Sequence, residues 1–415
     1  MRHAIRPKRL LPAVIAALLL AAAPALAQTT IVHWHHTSPA HDEMMRVLAQ
    51  RFMEQNPDIR IELETFPLGE FLDKVLVNIA AGTGPDTVQV RSTWIPWLID
   101  MGLQPLDPRV ITADEITAEF VPGPLKHLQR DGVFYALPTG SQSVVLFYQP
   151  QLFELAGLDG NTPPATWEEV VEYARRIHRT DAQGATIQMG VATGGYAPVL
   201  ATLMIQAGAT LWDDEAGLPD FTTPEAARGM QFATDLVTVH GVEDPAFGSR
   251  WTAFRNERLG MVYAHPGMIG SFLATHPHLQ FRITEVPPPE PGGSRSSLIT
   301  TWAFAMTPKA ESEAATKWIA FLESAESQRY RLQASGELPL RWEVIQDPEN
   351  LADPLLNPVM WSLTRAVEVP WTADDIIDSH LGAAWRSIIN RQLALPAAME
   401  RLQQQAVNSE LAVGR

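Results

Sequence analysis

Between Thr30 and Ile99 the apolar pattern switches back and forth between the period of a strand and that of a helix, and this alternation constrains the fold more than any single motif. Thr30–Trp34 reads as a short strand. Ser38-Pro39 is a cap and first-turn pair, opening a helix in which Met44, Val47, Leu48 and Phe52 recur at helical spacing until Asn56-Pro57 ends it. Ile59, Ile61 and Leu63 then alternate with charged residues, as on a half-buried strand. Phe71, Leu72, Val75, Leu76 and Ile79 mark a second helix that stops at Gly82. Val88 and Val90 mark a third strand, and Ile95–Ile99 a short helix. This order predicts an α/β architecture with a mostly parallel sheet covered by helices on both faces.

A second unit begins after Ala136-Leu137-Pro138. Val144–Tyr148 reads as a buried strand and Pro150–Ala156 as a short helix. Thr166-Trp167-Glu168-Glu169 opens a helix reaching His178, with Thr166 and Glu169 placed as a reciprocal capping box. Thr223-Pro224 opens another, stopped by Gly241. Leu259–Ala264 and Leu298–Met306 read as strands, separated by a surface linker at Pro287–Gly293. Helices follow at Ala310–Glu323 and Glu326–Ser335, and the tail from Trp361 is mainly helical.

Arg2, Arg6, Lys8 and Arg9 precede an apolar run, Leu10–Ala23, and then Ala25-Leu26-Ala27. This is the pattern of a secretory leader cut before Gln28, and the run is too short for a membrane span. Its removal leaves 388 residues and takes away four basic groups, so the net charge of −16 becomes −20. That length exceeds what one core usually supports, so two domains are expected. The acidic balance argues against nucleic acid or an anionic membrane as partner. The chain has no cysteine, which removes disulfides, thiolate metal sites, a Cys nucleophile and a lipid anchor at the cleavage site.

Catalytic patterns are missing as well. There is no H-E-x-x-H, no G-x-x-x-x-G-K-[ST] and no G-x-G-x-x-G after a strand. Thr139-Gly140-Ser141-Gln142-Ser143 is not a nucleophile elbow, because its Gly and Ser are displaced. Asp213-Asp214 and Asp374-Asp375 read as solvated acids, although a glycosidase dyad drawn from separate elements would leave no sequence signature. His33, His35, His36 and His41 would have to converge to hold a metal. The strand pleat puts His33 and His35 on one face and Trp34 and His36 on the other, so neither metal nor cofactor is expected.

Several segments, taken in order, resemble family 1 of the bacterial extracellular solute-binding proteins, the maltose-binding-like group that serves ABC importers. They are Leu48–Phe52 with Asn56-Pro57-Asp58-Ile59, Ile79–Asp86, Gly102–Asp107, Gly132–Pro138, Val145–Tyr148, Leu152–Leu158, Pro164–Glu169 and Gly336-Glu337-Leu338-Pro339. Gln149-Pro150 departs from the polar pair usual after Tyr148, at a structural position. The resemblance implies a two-lobed periplasmic-binding-protein fold, each lobe a mostly parallel sheet flanked by helices, with ligand in the cleft between hinged lobes. It implies a leader over residues 1–27, a first lobe of residues 28–140 and 299–340, and a second of residues 141–298 and 341–415. The crossovers fall near Thr139–Gln142, Ser297–Thr301 and Pro339–Arg341.

Candidate ligand groups come from strand ends, where open α/β sheets bind, and from the crossovers. They are His35 and His36 after the first strand, Arg91 and Ser92 after the third, Ser141 and Gln142 at the first crossover, Thr301 and Trp302 at the second, Arg341 at the third, and His265 ending a strand. Twelve Trp against six Tyr is unusual. Indole stacks on the C–H faces of sugars and offers one donor at its edge, which adds Trp94, Trp212, Trp251 and Trp371. Each of these could equally be a core Trp, the better reading for Trp167, Trp318 and Trp385. The expected function is periplasmic binding of a carbohydrate or similar polyol by a monomer that delivers it, unchanged, to an ABC permease. Arg91 and Arg341 fit paired hydroxyls or a phosphate equally well. Trp34-His35 also resembles the glycerol-phosphate-binding branch, so a glycerol 3-phosphate or phosphodiester binder stays open. So do a hydrolase on the same scaffold and a chemosensory module.

Overall fold

The computed structural model describes residues 28–413 apart from 38 and 375. The expected leader, the Ser38 cap and Asp375 therefore lie outside the described residues. Ten strands form two five-stranded sheets: β1 (Thr29–His36), β2 (Ile59–Phe66), β3 (Thr87–Arg91), β4 (Ala136–Gln142), β5 (Val145–Tyr148), β6 (Arg179–Thr180), β7 (Thr186–Ala192), β8 (Leu259–Ala264), β9 (Arg282–Glu285) and β10 (Thr300–Met306). The first sheet has the order β2-β1-β3-β10-β4 and the second β9-β5-β8-β7-β6.

Both sheets are mixed, which corrects the expectation that each would be mostly parallel. In the first, β1 runs parallel to β2 and β3, while β10 runs antiparallel to β3 and β4. In the second, only β7 and β8 are parallel. The reason is the chain path: β10 arrives from the second sheet and wedges between two strands of the first. Period analysis detects a strand but not its direction.

The main helices are α1 (Pro39–Gln55), α2 (Leu68–Ala80), α3 (Trp167–Ile177), α4 (Ala197–Gln206), α5 (Pro224–Thr238), α6 (Ser312–Leu322), α7 (Ala325–Ser335), α8 (Leu356–Thr364), α9 (Leu381–Ile389) and α10 (Leu395–Val413). At α3, Thr166 Oγ1 accepts from Glu169 N at 3.3 Å, but the Glu169 carboxylate takes Ala165 N rather than closing the expected box. A complete box stands instead at Thr112 and Glu115. Helix α4 carries no amphipathic signature because it is buried almost all round. In β5, Leu146 and Tyr148 pack into one apolar cluster and Val145 and Phe147 into another, which explains the uninterrupted apolar run.

The chain passes between the sheets at Ser143-Val144 and again between β9 and β10. After β10, Leu338 bridges Ser141 and Arg341 bridges Phe120, while Arg329 pairs with Glu343 and Asp347. Residues 338–347 thus stay with the first sheet. The chain then crosses back, and α8 packs on β9 and β5. Among the described residues no helix is long and apolar enough to cross a membrane.

Candidate functional site

A cavity of about 980 Å³ opens between the two sheets, within the size range of ligand pockets. Its first wall comes from the ends of β1, β3, β4 and β10 with the loop after α7: His36, Gln89, Arg91, Gly140–Gln142, Thr300, Trp302 and Ser335–Leu338. The second wall is Met189 and Ala192 on β7, Gly194–Pro198 leading into α4, Glu243–Pro245, Ser249–Trp251, and Ile377, Gly382, Trp385 and Arg386 at the start of α9.

Trp302 reaches the cavity through a register shift. Thr301 pairs with Ser141 but Trp302 with Thr139, so Gly140 is an extra residue in the β4 strand. A bulge of this kind bends the strand and re-aims side chains. Gly140 has φ +29°, and its amide donates to Glu337 Oε1 at 3.0 Å. The same oxygen accepts from Thr139 Oγ1 at 3.0 Å and from Arg331 Nη1 at 2.9 Å, and His41 Nδ1 lies 3.5 Å from Oε2. Burial works against the Glu337 carboxylate, yet the Arg331 charge, His41 and Thr139 together hold its pKa down at about 2. Arg331 is itself buried and also pairs at 2.6 Å with Glu323, whose pKa burial pushes up to about 7.

The Trp302 ring stacks on His36 at 4.6 Å, and the Arg91 guanidinium sits 5.0 Å from its centre. His33 and His35 share the other face of β1, as the pleat predicts, and His41 from α1 reaches both His35 (5.1 Å) and His36 (5.8 Å). Burial lowers the His36 pKa below its ordinary value, so the ring is neutral at pH 7. His33 hydrogen-bonds Thr87, and His35 faces Asp42 at 3.3 Å. Among the described residues no group of three or more His, Asp or Glu is placed to hold a metal.

On the second wall Arg250 lies 4.4 Å over Trp251 and 5.0 Å over Tyr196, and donates to the Thr193 carbonyl. Gly194 and Gly195 both have positive φ, +64° and +58°. Side chains there would run into Arg250 and the Trp385 ring, so the doublet permits both residues to close on the loop. Glu243 is buried beneath it and accepts from Thr193 N, Thr193 Oγ1 and Gly194 N.

Of the residues predicted from sequence, His36, Arg91, Ser141, Gln142, Trp251 and Trp302 line the cavity. His265 stands behind its rim, 6.4 Å from Trp251 and 6.3 Å from Tyr196. The others lie elsewhere. His35 is fully buried. Ser92 Oγ lies 2.9 Å from the Thr301 carbonyl and 2.7 Å from Glu368 Oε1, with one proton to donate, and Thr301 N donates to Glu368, so both close the back of the crossover. Trp94 donates to Thr372 O. Trp371 is buried and donates to Leu211 O, and Trp212 sits in a two-stranded ribbon with Pro219. Arg341 packs on Phe120 and pairs with Glu119. Gln89, Glu243, Arg250, Glu337 and Arg386 line the cavity without having been predicted. The Gly194-Gly195 doublet and the Arg250-Trp251 pair were the available signals.

The model of the bacterial extracellular solute-binding protein family matches residues 38–329. The chain is 23% identical over 368 residues to the maltotriose-binding protein of Pyrococcus abyssi, covering 86% of this chain and 75% of that one. It is 24% identical to the arabinooligosaccharide-binding protein of Halalkalibacterium halodurans, covering 77% and 73%. The solved sugar-binding protein MalE of Xanthomonas citri superposes with a TM-score of 0.79 at 20% identity, covering 93% of this chain and 98% of that one. With the family match extending over more than half its length, this chain belongs to the bacterial extracellular solute-binding proteins.

Proposed function

We propose that this protein is the periplasmic receptor of an ABC importer and that it binds a carbohydrate or similar polyol in the cavity between its sheets. One observation carries the reading. The first wall sets Trp302 beside buried polar atoms that have no hydrogen-bond partner among the described residues, including Ser141 Oγ, Gln89 Oε1, Arg91 Nε and His41 Nε2. Such groups are costly when dry, and a polyhydroxylated ligand would satisfy them while its C–H faces cover an indole. The saccharide-binding relatives support the same class of ligand.

The bodies that close on the solute are those built on the two sheets, with the third crossing beyond residue 347 rather than at 340. A ligand favours closure only through contacts made from both walls, and Trp302 and Trp251 stand on opposite ones. The solute leaves chemically unchanged, for a permease to take up, and the receptor works as a monomer after its leader is removed. A thermal-shift and calorimetric panel of mono-, di- and oligosaccharides, polyols and glycerophosphates tests the reading. A raised melting temperature with at least one member, and intact ligand recovered by chromatography, is expected. A panel without a binder, or a cleaved product, refutes it.

A further inference from the structure

Arg250 and Trp251 are consecutive residues at the start of a six-residue helix, Arg250–Arg255, capped by Ser249. Neighbours on a helix point about 100° apart and do not face each other. The Arg250 guanidinium nonetheless lies 4.4 Å over the Trp251 ring, and 5.0 Å over that of Tyr196 at the N-cap of α4. It is turned back by the Thr193 carbonyl, which accepts from Nη1. That carbonyl is held in turn by Glu243, 4% exposed. Glu243 accepts from Thr193 N at 3.0 Å, Thr193 Oγ1 at 2.9 Å and Gly194 N at 2.7 Å.

The fit leaves no slack. A Cβ at Gly194 would lie 2.1 Å from Arg250 Nη1, and one at Gly195 2.4 Å from the Trp385 ring. The loop therefore closes on the guanidinium on one side and on an indole on the other. His265 and Phe272 stand farther from Trp251, at 6.4 and 6.3 Å, so Arg250 is the nearest of these three neighbours. A cation over an indole holds the ring through its quadrupole, and a planar guanidinium stacks there as an ammonium does not. Arg250, Tyr196 and Trp251 all line the cavity, on the wall opposite Trp302.

We infer that Arg250 is a positioning residue: it fixes Trp251 and Tyr196 as one stacking surface, and affinity depends on that contact rather than on a hydrogen bond from Arg250 to the solute. The inference rests on the reading of this cavity as the saccharide site. An indole that is ordered only as the sugar arrives gives back part of the stacking free energy as lost side-chain freedom. One already held does not.

Two variants break the contact from opposite sides. Arg250→Lys keeps the charge and gives up the planar fork. Gly194→Ala, strained at φ +64°, sets a methyl group against Nη1, where the flexible Arg250 side chain can give way. Both are made in the whole mature protein labelled with fluorotryptophan, in which Trp251→Phe and Trp302→Phe identify two of the fluorine resonances. Without ligand, each variant is expected to shift or broaden the Trp251 resonance and to leave that of Trp302 unmoved. Calorimetry with glucose, maltose and arabinobiose is then expected to show at least a fivefold loss of affinity in both variants, for a probe that the parent binds. Full affinity in both variants overturns the inference. So does a Trp251 resonance unmoved in both, and weaker binding beside it would place Arg250 on the solute itself. Melting curves that collapse in both would make Arg250 a structural residue and overturn the inference as well. A parent that binds none of the probes counts against the saccharide reading alone, since the fluorine comparison needs no ligand.

Discussion

The backbone amide of Gly140 and the carboxylate of Glu337 are joined by a 3.0 Å hydrogen bond at the point where the β4–β10 ladder slips. The bulge would otherwise strand a buried donor, and the carboxylate that accepts from it is held charged by Arg331, which donates to the same oxygen. One buried ion pair therefore fixes the register that turns Trp302 toward the cavity. Replacing Glu337 by Gln should cost about 3 kcal/mol of stability at pH 7, the usual penalty for removing one partner of a buried pair. The pH dependence has a defined sign. A carboxylate whose pKa falls from 4.5 to about 2 on folding contributes stability above pH 4.5, and loses it as the pH drops toward 2. Melting curves between pH 2 and 7 should show this loss in the parent protein and a weakened one in Glu337→Gln.

Glu368 behaves in the opposite sense. Burial raises its pKa to about 8, although Ser92 and Thr301 donate to it. The folded protein then holds a proton that the unfolded chain gives up above pH 4.5, so stability falls as the pH rises from 4.5 to 8. Glu368→Gln keeps an oxygen for both donors and has no charge to bury. It should melt higher than the parent at pH 8 and close to it at pH 5. At about 1.4 kcal/mol per pKa unit, a rise from 4.5 to about 8 makes the gain at pH 8 on the order of 4 kcal/mol.

Trp302→Ala should weaken ligand binding by about 2 kcal/mol or more, as loss of a central aromatic anchor does, while the melting temperature changes little. Calorimetry and thermal melts on one sample separate the two effects. A collapse in stability with unchanged affinity would make Trp302 a core residue.

Trp371→Ala is the converse case. The ring is 4% exposed, lies 5.6 Å from Phe221 and donates to Leu211 O. Its loss should destabilise by about 3 to 5 kcal/mol, with affinity at saturation unchanged in the fraction that stays folded. Chemical denaturation measures the first and calorimetry the second.

Saturating ligand should reduce the radius of gyration in small-angle scattering, because both walls carry contact groups. An unchanged radius with binding verified would mean a cleft closed beforehand or a site on one wall.

The helices opened by Thr166 and Thr223 were legible because they are capped and keep one wet face. Val145–Tyr148 and Leu259–Ala264, buried throughout, were legible as short uninterrupted apolar runs. Helix α4 was invisible because burial on all sides erases that period, and β7 because Gln188 and Gly190 interrupt its apolar run. For the site, strand ends pointed to His36 and Arg91 and the second crossover to Trp302, and all three line the cavity. Trp94 and Trp371, chosen for their places at element ends, are buried away from it, since an indole at an element's end can turn inward as readily as toward a cleft. Arg341 followed the Leu338-Pro339 motif, but that segment stays on the first sheet and the guanidinium turns to Glu119. Arg386 and Arg250 gave no periodic signal, because their meeting at the cavity is a product of the crossovers.

Strand β10 is inserted between β3 and β4, yet it lies more than 150 residues beyond β4 in the chain. Until Met306 has been made, the first sheet is two separate pieces with open edges, whatever has already folded behind it. Assembly must therefore wait for a distant segment, which places this protein among slow folders rich in non-local contacts. The interval leaves β3 and β4 exposed to pairing with other chains, so a chaperone that shields strand edges should matter more to its yield than one that hastens helix formation.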